Sequence, residues 1–274
     1  MSANDNCRIQ MVVFDWAGTT VDYGSSAPGR VFDRVLTEAG IHLTKEEINR
    51  PMGMEKKAHI RQLLSCPSGN SQWLKAYGRS WTDEDVEALY QRFESILFQV
   101  VAEYSQPLPG VVETVDALRK QGLKIGSTTG YTSEIMTQVI PGAKKLGYEA
   151  DCVVTPDVTG AGRPTPFMLF ECMRRLEVYP PVAVVKVGDT VVDMLEGKNA
   201  GAWSIGILTG SNLLGLDAEE YDSMDPQELA KRKRETTEIY YQAGADLVID
   251  TMADLPAAIE MLNCRMARKE QAVK

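Results

Sequence analysis

The sequence is poor in the residues that build soft-metal and redox sites. Its 274 residues hold only two histidines, His42 and His59, too few for a histidine-rich metal centre. The five cysteines, Cys7, Cys66, Cys152, Cys172 and Cys264, are odd in number, scattered and without C-x-x-C spacing. That pattern excludes a zinc ribbon or a disulfide frame and is expected of reduced thiols in a cytoplasmic protein. Positive charge is also short, with 29 Lys and Arg against 38 Asp and Glu and no basic run. A net charge of −9 excludes tracking of a nucleic-acid backbone, though not a small anionic substrate held by local cations. No apolar run approaches the ~20 residues of a membrane span, and the first seven residues lack the apolar core of a signal peptide.

What is present is enough chain for one large domain or two modest ones. From Pro107-Leu-Pro-Gly110 onward, short apolar stretches alternate with helical ones. Strands are expected at Leu123–Thr128, Cys152–Thr155, Ala183–Val187, Trp203–Ile207 and Asp246–Ile249. Val12, Val13 and Phe14 are expected to end an earlier strand. Such alternation predicts an α/β fold, a Rossmann-like parallel sheet with helices on both faces. Tyr23 to about Ala102 reads as helical throughout: apolar periodicity at Val31, Phe32, Val35 and Leu36, capping-box spacing at Thr44 and Glu47, and a long helix from about Thr82. The predicted division is therefore a core of residues 1–23 and 103–274 and an inserted all-helical cap of residues 24–102. A helix is expected over Thr132–Leu146, broken or kinked at Pro141-Gly142.

Four segments should meet at the carboxyl edge of the sheet, where such folds bind ligands. Asp15 follows the first strand in Asp15-Trp-Ala-Gly-Thr19. Taken alone, that stretch would serve equally well as a turn cap. Thr129-Gly130 ends the next core strand, Arg163 lies in Gly160-Ala-Gly-Arg-Pro164, and Asp189 and Asp193 follow a further apolar strand. A hydroxyl and backbone amides at Thr129-Gly130 suit phosphoryl oxygens, and Arg163 suits developing charge. Asp15 and Asp189 would repel each other unless a divalent cation lay between them. Hard oxygen ligands beside a phosphoryl group predict Mg²⁺. Asp193, four residues on and in the opening turn of a helix, is expected to orient its neighbours without ligating the ion.

In order and over nearly the whole chain, Asp15-Trp-Ala-Gly-Thr19, Thr129, Arg163 and Gly188-Asp189…Asp193 resemble the four motifs of the haloacid dehalogenase superfamily. The helical insertion resembles that superfamily's mobile cap. The resemblance implies phosphoryl transfer to Asp15. One position departs from the common pattern: phosphatases of the superfamily carry D-x-D-G-T, and the second Asp protonates the leaving group, whereas this chain has Ala17. General acid–base help is worth ~10²–10⁴-fold, so a phosphate ester is a poor match. A carbon leaving group fits if another residue accepts its electrons.

Met52-Gly-Met-Glu-Lys56-Lys-Ala-His59 supplies that residue. Lys56 and His59 are three apart on one helix face, with Met52 a turn earlier. A lysine condenses with an aldehyde, and the iminium stabilises an enamine leaving group; a histidine beside it can move protons. Together with Ala17, the pattern P-M-G-x-x-K-x-x-H resembles the phosphonatase family. That resemblance implies hydrolysis of the P–C bond of phosphonoacetaldehyde to acetaldehyde and phosphate, with the Schiff base on Lys56 rather than Lys57. It also implies one Mg²⁺ bound by Asp15, Asp189 and the Ala17 carbonyl, a substrate site lined by Met52, His59 and Tyr131, and homodimers joined through the cap. Members often have a cysteine where this chain has Ser25. The competing readings are a Mg²⁺-dependent phosphatase or phosphomutase acting on a small ester, and a catalytically silent protein that kept the fold. His42 and the cysteines read as structural.

Overall fold

Met11, Val12, Val13 and Phe14 are all buried, as required of a strand at the centre of a sheet covered on both faces. The computed structural model describes residues 8–273, so Cys7 lies outside the described residues. In chain order the main elements are β1 (Met11–Phe14), α1 (Ser26–Glu38), α2 (Lys45–Asn49), α3 (Lys56–Ser65), α4 (Pro67–Tyr77), α5 (Asp83–Val100), α6 (Val111–Lys120), β2 (Lys124–Thr128) and α7 (Ser133–Lys145). They continue as β3 (Cys152–Val154), α8 (Pro156–Thr159), α9 (Phe167–Arg175), β4 (Val184–Gly188), α10 (Val191–Ala200), β5 (Trp203–Ile207), α11 (Ala218–Ser223), α12 (Pro226–Ala243), β6 (Leu247–Ile249) and α13 (Leu255–Val273). The sheet is wholly parallel, in the order β3-β2-β1-β4-β5-β6. The predicted strands are all present, within a residue or so of their expected ends.

Strand order reverses between β1 and β4, which puts the ends of β1, β2 and β4 side by side at the topological switch point. On one face Val12, Phe14, Val185, Val187, Ile205 and Ile207 join the main core; on the other Met11, Val13, Val184 and Val154 pack on Met168, Leu169 and Cys172 of α9. This two-sided burial explains why these strands read as continuous apolar runs and do not alternate with polar residues.

The five helices α1 to α5 stand between β1 and β2. Their starts are chemically marked. Asp22 accepts the Ser26 and Ala27 amides ahead of α1, and Thr44 and Glu47 close a capping box on α2. Glu55 accepts the Lys57 and Ala58 amides of α3 at 3.0 and 2.9 Å. That last cap pins the first residue of α3, Lys56. Val31, Phe32, Val35, Ile60, Leu63, Leu64, Phe93 and Leu97 are buried in a common core, with Phe32 stacked on Phe93 at 4.2 Å.

The break expected at Pro141-Gly142 does not occur: α7 runs through it as one helix. Pro141 removes a single backbone donor, and packing of the buried Ile135, Met136, Val139 and Ala143 holds the helix together across that gap. Gly142 lets α7 approach the turn after α5, where a Cβ would come 2.7 Å from that of Ser105.

Candidate active site

The core wall is assembled from strand ends tied to one another. The Asp15 amide donates to the Val187 carbonyl at 3.0 Å, and the Ser127 hydroxyl to the Phe14 carbonyl at 2.9 Å, so β1, β2 and β4 hold their terminal residues in register. Thr20 donates to the Asp15 carbonyl at 3.0 Å. Asp189 accepts from the Thr19 hydroxyl at 3.0 Å and the Asn212 amide at 2.9 Å. Gly18 makes that approach possible: its φ is +84°, and a Cβ there would collide with the Asp189 carboxylate. Arg163 Nη1 lies 3.0 Å from Asp15 Oδ1 and also pairs with Asp193 Oδ1. Asp193 caps its own helix, accepting the Thr190 amide at 3.1 Å and the Thr190 hydroxyl.

The cap wall has a different character. Lys56 is only 6% exposed, makes no ion pair among the described residues, and sits 5.7 Å from the Phe32 ring centroid and 5.2 Å from that of Tyr131. Burial first, then the nearby Arg163, lowers its pKa to about 8, against the opposing pull of Asp15, Glu55 and Asp22. Lys57 instead pairs with Glu87 at 2.7 Å with its side chain 35% exposed. His59 is fully buried, with its ring 4.0 Å from Phe32. Its Nε2 meets the Ile48 carbonyl at 2.9 Å and its Nδ1 has no protein partner. Burial, then Lys56, keeps it well below the usual histidine range, hence neutral.

The two walls meet around a cavity of about 20 Å³ lined by residues that include Asp15, Met52, Lys56, Thr129, Tyr131 and Arg163. Ala17, Ser25 and Gly130 also line it, whereas His59 lies a turn behind Lys56 and does not. The cap loop seats directly on the core: a Cβ on Gly130 would come 2.9 Å from the Met54 carbonyl and 3.2 Å from that of Gly53. Such a space holds about one water.

Asp15, Asp189 and Asp193 are buried and place one oxygen each within 4.8 Å of one another. Burial, then Asp15 and Asp193, pushes the Asp189 carboxyl far above its ordinary range. Asp15 is raised too, by burial that Arg163 only partly offsets. Burial also opposes ionisation of Asp193, but Arg163 and Lys186 prevail and hold its carboxyl low. Such a set is relieved by a small divalent cation, and its all-oxygen donors suit a hard one. Ser25 donates to the Ala17 carbonyl at 3.1 Å, and Ala17 lines the same cavity.

Sequence reasoning missed the layer beneath this wall. Lys186 and Glu196 are wholly buried and pair with each other at 3.1 Å. The signal was a lysine inside the otherwise apolar Val184-Val-Lys-Val-Gly188.

Parallel sheet, strand-end carboxylates and helical insertion together define a hydrolase of the haloacid dehalogenase type, and the family model for haloacid dehalogenase-like hydrolases matches residues 9–201. The chain is 47% identical over 255 residues to a phosphonoacetaldehyde hydrolase of Bacillus cytotoxicus, covering 93% of this chain and 97% of that one. It is 47% identical over 248 residues to a bifunctional phosphonoacetaldehyde hydrolase/aminoethylphosphonate transaminase of Clostridioides difficile, covering 90% of this chain and 39% of that longer protein. The crystal structure of a phosphonoacetaldehyde hydrolase-like protein from Oleispira antarctica superposes with a TM-score of 0.92 at 36% identity, covering 95% of this chain and 94% of that one. The chain belongs to the phosphonoacetaldehyde hydrolase family of these haloacid dehalogenase-like hydrolases.

Proposed function

We propose that this enzyme hydrolyses the P–C bond of phosphonoacetaldehyde to acetaldehyde and phosphate, through an imine on Lys56 and phosphoryl transfer to Asp15. The observation that carries this reading is a buried lysine with its pKa lowered to about 8, across one closed cavity from a buried Asp–Arg pair. The neutral Lys56 amine adds to the aldehyde, and water leaves with uptake of one proton from solvent, giving an iminium. Asp15 attacks phosphorus in line as the P–C bond breaks, and the bond's electrons pass into the iminium to form an enamine. Thr129, the Gly130 amide and Arg163 hold the phosphonate oxygens. Water then cleaves the aspartyl-phosphate. The enamine is protonated at carbon and the imine hydrolysed, which frees acetaldehyde and Lys56. His59, buried behind Lys56 with an unpartnered Nδ1, backs the lysine in its neutral form, and Met52 and Tyr131 keep that end dry. Ala17 offers no acid, and an enamine leaving group needs none from that position.

We assign the cation to Mg²⁺, held by Asp15, Asp189 and the Ala17 carbonyl, with Asp193 orienting Arg163. When bound, it supplies positive charge to the carboxylates and phosphonate oxygens. Residues 24–102 form the cap in this reading. It exposes Leu74, Tyr77 and Phe98, apolar material suited to a homodimer contact. The unpaired Cys66, Cys152, Cys172 and Cys264 suit the cytoplasm. Among the described residues no helix is long and apolar enough to cross a membrane.

The test is simultaneous measurement of phosphate and acetaldehyde from phosphonoacetaldehyde, beside a panel of small phosphate esters. Equal yields of the two products, with esters poor by comparison, are expected. Ester turnover without acetaldehyde release would contradict the reading.

A further inference from the structure

Below the phosphonate-binding wall lies a layer of charge that the mechanism leaves unused. Lys186 is the middle residue of β4, opposite Val13 on β1 and Ser204 on β5. Val13 and Val184, on the same side of the sheet, belong to an apolar cluster, and an ammonium there is strongly unfavourable unless fully paired. It is fully paired. Its Nζ donates to Thr128 Oγ1 at 2.7 Å and contacts Asp193 Oδ1 at 3.0 Å and Glu196 Oε2 at 3.1 Å, which uses all three of its donors. The Thr128 hydroxyl in turn donates to Glu196 Oε2 at 2.9 Å, closing a ring of three side chains. Asp193 and Glu196 come from one face of α10, three residues apart.

Two links join this ring to the reacting groups. Asp193 Oδ1 is shared between Lys186 and Arg163, so Lys186 fixes the carboxylate that aims the guanidinium at Asp15. Thr128 immediately precedes Thr129-Gly130, so the same ammonium anchors the strand end from which the phosphonate-binding turn springs. Merely packing α10 on β4 would need only apolar side chains, which commonly match or exceed a buried ion pair in stability.

We propose that Lys186, ion-paired to Glu196, is a positioning residue for phosphoryl transfer, setting Arg163 through Asp193 and the Thr129-Gly130 turn through Thr128. The proposal rests on the reading that this site passes a phosphoryl group to Asp15. Its test is the double variant Lys186→Met/Glu196→Gln, which removes both charges and strands neither. With Mg²⁺ present, kcat should fall roughly 10²-fold, the size of removing an aligned donor to the transition state. KM should change little, and borohydride trapping of the aldehyde on Lys56 should persist. Calorimetric binding of orthovanadate, which needs no aldehyde, should weaken roughly tenfold, the effect of misaligning one charge-assisted hydrogen bond. A folded double variant with kcat and vanadate affinity within twofold of wild type overturns the proposal. Should that variant not fold, Thr128→Val decides: a roughly tenfold loss in kcat, about one hydrogen bond, supports it, and unchanged kcat overturns it. A wild type that binds vanadate yet releases no phosphate from phosphonoacetaldehyde would contradict the substrate reading and leave the vanadate comparison standing.

Discussion

The core wall gathers four carboxylates, Asp15, Asp189, Asp193 and Glu196, with Arg163 and Lys186, each carboxylate matched by a cation or a backbone donor. The cap wall presents one amine, Lys56, against the faces of Phe32 and Tyr131 with no carboxylate bound to it. The contrast matches the two steps of the proposed reaction. Phosphoryl transfer builds and moves negative charge, which fixed, paired ions stabilise without reorganising. Imine formation needs a neutral amine, and an ordinary lysine is almost wholly protonated at neutral pH; desolvation away from carboxylates is the physical way to release the proton. Because both walls line one cavity, a single site contains both environments.

The largest effect is expected at Asp15. Asp15→Ala removes the proposed phosphoryl acceptor, so phosphate release should fall by roughly 10⁴-fold or more, while removal of one member of a repelling cluster should leave the fold intact by circular dichroism. Substantial Mg²⁺-dependent turnover in that variant would rule out the aspartyl-phosphate route.

The walls should respond oppositely to the same substitution of lysine by methionine. Lys186→Met leaves the buried Glu196 without its ion-pair partner, while Asp193 keeps Arg163, and should cost about 3–5 kcal/mol of stability. Lys56→Met removes an ammonium with no ion-pair partner and should stabilise the enzyme by on the order of 1 kcal/mol while abolishing acetaldehyde release. Urea unfolding at pH 7 reads both; equal destabilisation by the two would erase the distinction.

pH sharpens it further. With Lys56 titrating at about 8 in the folded enzyme, kcat/KM should rise as pH climbs from about 6 towards about 8. Between about 8 and the ordinary lysine value of about 10.4 the unfolded chain binds more protons than the native one. The destabilisation from burying Lys56 is therefore full below about 8 and is relieved as pH rises through that window. An activity profile flat from about pH 6 to 9 would contradict the lowered pKa. The smallest effect is expected at Lys57→Ala. That side chain points about 100° around the helix from Lys56 and holds a half-exposed ion pair with Glu87. Stability should change by less than about 1 kcal/mol, and turnover should stay at the wild-type level.

Most of the core wall was legible in the sequence because buried parallel strands write themselves as apolar runs, and the residue that ends each run falls at the switch point. Asp15, Thr129 and Asp189 are such residues. Arg163 needed the family pattern, since nothing local in a glycine-proline loop says what its side chain meets. Lys186 was overlooked because its run reads as apolar around it, and its partners Thr128 and Glu196 come from other elements. Pro141 misled for a related reason: the local rule for proline yields to packing of the buried face of α7. On the cap, the three-residue spacing of Lys56 and His59 showed that they share a helix face. Only the fold shows that His59 lies behind Lys56, neutral and packed at a tilt against Phe32.

Borohydride trapping reads whether the one lysine selected by burial forms the proposed imine. Borohydride added with phosphonoacetaldehyde should inactivate the wild type and Lys57→Ala alike, and peptide mapping should find the adduct on Lys56. Lys56→Arg, which keeps the charge but cannot form an imine, should give no adduct and no P–C cleavage. An adduct on Lys57, or full activity in Lys56→Arg, would contradict the account.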